Sequence, residues 1–152
     1  MPVDLSALVA HPRFRFMPGM LITPAPDPDA GEDCDPADCP RVVSVRGGCV
    51  TVAWEAGAGD ADGGTLMRGD IPDLSDPATV GCLAALVREV WAAPGAQVTP
   101  WIAVVDVNRN GVMGWRCALN DIATDREFPP RGSGAMADTE GEAWALALMG
   151  AA

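Results

Sequence analysis

The stretch from Arg41 to Trp54 constrains the fold more than any other. It reads Arg41-Val42-Val43-Ser44-Val45-Arg46, then Gly47-Gly48, then Cys49-Val50-Thr51-Val52-Ala53-Trp54. β-Branched residues suit the pleated, half-buried surface of a strand. A Gly-Gly pair between two such runs takes positive φ at both positions without a steric cost, which is what a two-residue hairpin turn needs. Asn110-Gly111 repeats the signal between residues 101–107 and 112–119. Pro18-Gly19, between the alternating residues 13–17 and the apolar residues 20–23, predicts a third and shorter hairpin. Hairpins commit the chain to antiparallel sheet.

Helix signals separate these hairpins. Asp76 can cap a helix with Pro77 at its first position, and Val80, Leu83, Val87, Val90 and Trp91 recur at helical spacing until Pro94-Gly95. Thr139-x-x-Glu142 is a capping box opening a last helix that holds Trp144, Leu146, Ala147, Leu148 and Met149. Asp4 caps a short helix over residues 4–10, with Leu5, Leu8 and Val9 on one side. Residues 65–71 predict one more strand. The expected class is α+β: a mainly antiparallel sheet built from hairpins, two main amphipathic helices in two or three layers, and a short N-terminal helix. A chain of 152 residues suits a single domain, residues 1–152, with an acidic, Pro-rich loop at 24–40 and a Gly/Pro-rich loop at 121–138.

The formal net charge is -11, and all ten basic residues are arginine. Such a chain is not expected to bind nucleic-acid phosphate or an anionic membrane directly. It suits a basic partner, or imitation of a polyanion toward a host protein with a nucleic-acid-binding surface. The acids are concentrated: Asp27, Asp29, Glu32, Asp33, Asp35 and Asp38 stand in residues 24–40 with one arginine-free stretch around them. They are the first candidate binding residues; a solvated loop is the competing reading. The second candidate is a pocket in which Trp54 and Trp115 stack on a small nucleotide while Arg46, Arg109 and Arg116 take its phosphate. Core packing is the competing reading for the tryptophans. A homo-oligomer stays open.

Several chemistries are excluded. Without lysine there is no Schiff-base lysine and no phosphate-loop lysine. One histidine, His11, rules out a two-histidine metal site within a chain. No serine has a nucleophile-elbow setting, so no catalytic residue and no cofactor are assigned. Cys34-x4-Cys39 with Cys49 has thiolates at a zinc-like gap but lacks the second pair of ligands, and Cys82 and Cys117 read as core residues. Asp106-x-Asn108-x-Asn110-Gly111 opens like a calcium loop, yet its twelfth position is Cys117 and its flanks read as strands. The N-terminus has no basic region ahead of an apolar run, and the cytoplasm of a bacterial host cell is the expected location.

Residues 73–91, DLSDPATVGCLAALVREVW, resemble a segment that recurs in small bacteriophage and prophage proteins, and residues 139–148, TEGEAWALAL, are similar to their final helix. The helix, two strands, helix order over roughly residues 70–150 resembles the phage "ABA sandwich" domain. The resemblance implies a three-layer α/β/α arrangement and a phage accessory protein that acts by binding, as a host-interaction or counter-defence inhibitor. A structural or assembly component of the particle is the alternative. It carries over no functional residues.

Overall fold

The computed structural model describes residues 3–23, 39–54, 64–66, 69–90, 101–107, 111, 113–121, 126–128 and 137–150. The protein is α+β: the described residues form three helices and antiparallel sheets of two and three strands. The chain forms two compact units: Arg15–Thr79, and Met1–Phe14 together with Val80–Ala152.

In the first unit, β1 is Ile22–Thr23, β2 Arg41–Arg46, β3 Cys49–Ala53, β4 Gly64–Thr65 and β5 Ile71–Pro72. The β2–β3 hairpin forms as expected. Gly47 and Gly48 both have positive φ, 56° and 81°, and Arg46 pairs with Cys49 across the turn. The register slips between Val42 and Ser44. That bulge has a purpose visible in the sequence. Strand residues alternate between faces, so without it Val42 and Val45 would point to opposite sides. With Val43 as the extra residue, Val42 opposes Val52 and Val45 opposes Val50, all on one face. Val42 and Val52 are buried there, whereas Val43 is 53% exposed.

The Pro18-Gly19 hairpin is corrected. The turn itself is present: Gly19 has φ 99°, and the Met20 N–H donates to the Met17 carbonyl at 3.2 Å. Its two arms do not pair with each other. The Gly19 N–H donates to the Val42 carbonyl (2.8 Å), the Val42 N–H to that of Met20 (2.9 Å), and the Ile22 N–H to that of Pro40 (2.8 Å). On its other side β1 pairs with β5. This arrangement leaves Met20 and Ile22 fully buried. A turn is a local property, but the partner is selected by burial between remote segments. The strand expected over residues 65–71 is likewise two short ones, β4 on β3 and β5 on β1, with Gly69 (φ 96°) between them. Of the loop expected at 24–40, Cys39 and Pro40 are buried beside β2 and the rest lies outside the described residues.

In the second unit, α1 is Leu5–Ala10, β6 Trp101–Val107, β7 Met113–Asp121, β8 Arg126–Phe128 and α3 Glu140–Met149; α2, Pro77–Val90, begins in the first unit and continues into this one. Asp4 caps α1, its Oδ1 accepting from the N–H groups of Ser6 (3.0 Å) and Ala7 (3.1 Å), and Leu8 is buried. β6 and β7 pair from Trp101 with Leu119 to Val107 with Met113, as the Asn110-Gly111 signal predicts, and Gly111 has φ 78°. The loop expected at 121–138 is corrected: it contains β8, paired with Leu119–Asp121, and Ala137, which exchanges two backbone hydrogen bonds with Trp115 (2.8 and 2.9 Å). The second edge of β7 would otherwise carry unpaired N–H and C=O groups, and the next segment satisfies them despite its turn-rich composition. On α2, Leu83, Leu86 and Val87 are fully buried. α3 buries Gly141, Ala143, Trp144, Ala145, Ala147 and Leu148, most of its circumference.

Candidate functional site

The best-defined polar arrangement lies where α2 begins. Asp76 caps the helix: its Oδ2 accepts from the Thr79 N–H (2.8 Å) and the Thr79 hydroxyl (3.0 Å). The same carboxylate receives both arms of Arg41, Nη1 to Oδ2 at 3.0 Å and Nη2 to Oδ1 at 2.9 Å. Arg41 Nη1 also donates to the Gly19 carbonyl (3.1 Å), and Thr79 Oγ1 accepts from the Leu21 N–H (2.9 Å). Burial alone would raise the Asp76 pKa. The Arg41 hydrogen bonds, the Thr79 N–H and hydroxyl, and the Arg41 charge together outweigh it and hold the carboxyl below its ordinary value. A carboxylate with four donors is committed to structure and is not available as a general base. The sequence marks Asp76 as a cap; no local pattern marks Arg41 as its partner 35 residues away.

This knot sits at the base of residues 24–38. Leu21 bridges Arg41, Arg41 opposes Ala53 in the hairpin, and Val52 opposes Gly64. Thr23, Cys39, Trp54 and Gly64 therefore all belong to the end of the β2–β3 hairpin remote from Gly47-Gly48. Residues 24–38 and 55–63 both leave and re-enter the described fold at that end. The first segment carries Asp27, Asp29, Glu32, Asp33, Asp35 and Asp38, the second Glu55, Asp60 and Asp62, and neither contains an arginine. The opposite end carries Arg46, and residues 39–54 contain no acid. The whole Arg15–Thr79 unit has twelve acids against four arginines, a net -8 of the chain's -11.

Trp54 stands at the end of the hairpin from which residues 55–63 depart and is 46% exposed. Its six-membered ring occupies the space of a side chain at position 64, where a Cβ would lie 2.9 Å from Cη2 and 3.1 Å from Cζ3. Glycine at 64 is thus what lets the indole seat on β4. Arg46 lies at the other end of the same hairpin, about 17 Å away along β3. The register therefore does not bring these two pocket candidates together. Trp115 and Arg116 are consecutive in β7 and point to opposite faces. Arg109 lies outside the described residues, as do Asp27, Asp29, Glu32, Asp33, Asp35 and Asp38.

The cysteines do not assemble. Cys39 is buried and Cys49 exposed, at opposite ends of the β2–β3 hairpin and about 20 Å apart by strand length; Cys34 lies outside the described residues. Among the described residues no three His, Cys, Asp or Glu side chains are placed to hold a metal ion. Cys117 is buried on β7. Burial pushes its thiol up to about 12, the Glu140 charge adding to the rise and Arg88 opposing it, so at neutral pH it is an inert thiol. Nearby, the Trp144 Nε1–H donates to Glu140 Oε1 (3.3 Å), and the Arg88 guanidinium carbon lies 5.5 Å from the Trp144 ring. His11 closes α1, its Nδ1 accepting from the Arg13 N–H at 3.2 Å. Asp106 is in β6 opposite Gly114, within a strand hairpin and not between helices as a calcium loop would need.

No helix among the described residues is long and apolar enough to cross a membrane. Comparison with protein-family models, with curated proteins and with solved structures gives no match to this chain.

Proposed function

We propose that the protein acts by binding, with the acidic end of the Arg15–Thr79 unit occupying a basic, nucleic-acid-binding surface of a host protein. The observation that carries this reading is the shared exit point: two arginine-free segments holding nine acids are anchored at one end of one hairpin. Their nine acids, against four arginines in the whole unit, give it a net negative charge that would steer a basic partner. With the resemblance of residues 73–91 and 139–148 to phage proteins, the role is that of a phage accessory inhibitor in the cytoplasm of its bacterial host. The test is competition. Nucleic-acid binding by purified host effectors is measured with and without the protein across a salt series. Inhibition should weaken steeply with salt and vanish when the six acids of residues 24–38 are changed to Asn or Gln. Inhibition that survives both changes overturns the reading.

A further inference from the structure

We draw no further inference here: the strongest candidate, the outer edge of β2 at the exposed Val43 and Val45, beyond the stretch that pairs with residues 19–23, is a short apolar edge interrupted by a bulge and ending at Arg46, and nothing in the structure shows what covers it.

Discussion

The two longer helices start in different ways. α3 opens with a capping box confined to four residues. The Glu142 N–H donates to Thr139 Oγ1 at 3.2 Å, Glu142 Oε2 accepts from the Thr139 N–H at 3.2 Å, and the whole motif is near the surface. α2 opens with a carboxylate that is 8% exposed and serves the helix, a strand residue 35 positions earlier and, through Thr79, the backbone of Leu21. One cap stabilises its own helix. The other joins a helix start to two separate backbone segments, residues 19–21 and β2, so its loss is felt well beyond the first turn.

That contrast sets the order of expected effects. Asp76→Ala removes the cap and leaves Arg41 partly buried without its partner, and should cost about 3 kcal/mol, read as a lowered urea midpoint. A loss no larger than that of a surface cap would break the comparison. Asp76→Asn separates the two roles. Asparagine caps nearly as well, so the remaining loss measures the ion pair, and the acid dependence should disappear with it. The direction of that dependence follows from the lowered Asp76 pKa. Its contribution is complete above the ordinary value of 3.8 and is lost as the pH falls through the lower folded value. Wild type should therefore lose stability relative to Asp76→Asn on acidification below about pH 4. Thr139→Ala should cost about 1 kcal/mol with no comparable acid limb. Glu142→Gln, which keeps the side-chain acceptor, should change stability by a few tenths of a kcal/mol, about the limit of thermal melting.

The same division explains what could be read in advance. Gly47-Gly48, Pro77, the Thr139–Glu142 box and Asn110-Gly111 each act through their immediate neighbours, and the hairpins and helices they mark are present. Residues 19–23 show the opposite case. Their turn is legible, but their pairing with residues 40–42 and with β5 depends on chain brought together only by folding. β8 was hidden because what makes it a strand is the open edge of β7 and not its own composition. For the candidate site, the acids of residues 24–38 were plain as composition. Their shared anchor with residues 55–63, and the seating of Trp54 on Gly64, follow from register, which no local pattern states.

The hydrogen bond from Ile22 to Pro40 has a consequence for how such a chain can change over time. Two backbones already joined there form a closed doorway. Whatever sequence is threaded between them begins and ends at the same place, so the strands behind it need not move when its length changes. Loop closure grows only with the logarithm of length, about 0.6 kcal/mol per doubling. A lineage, or an engineer, could replace residues 24–38 wholesale, with the hairpin and the knot kept as a fixed mount.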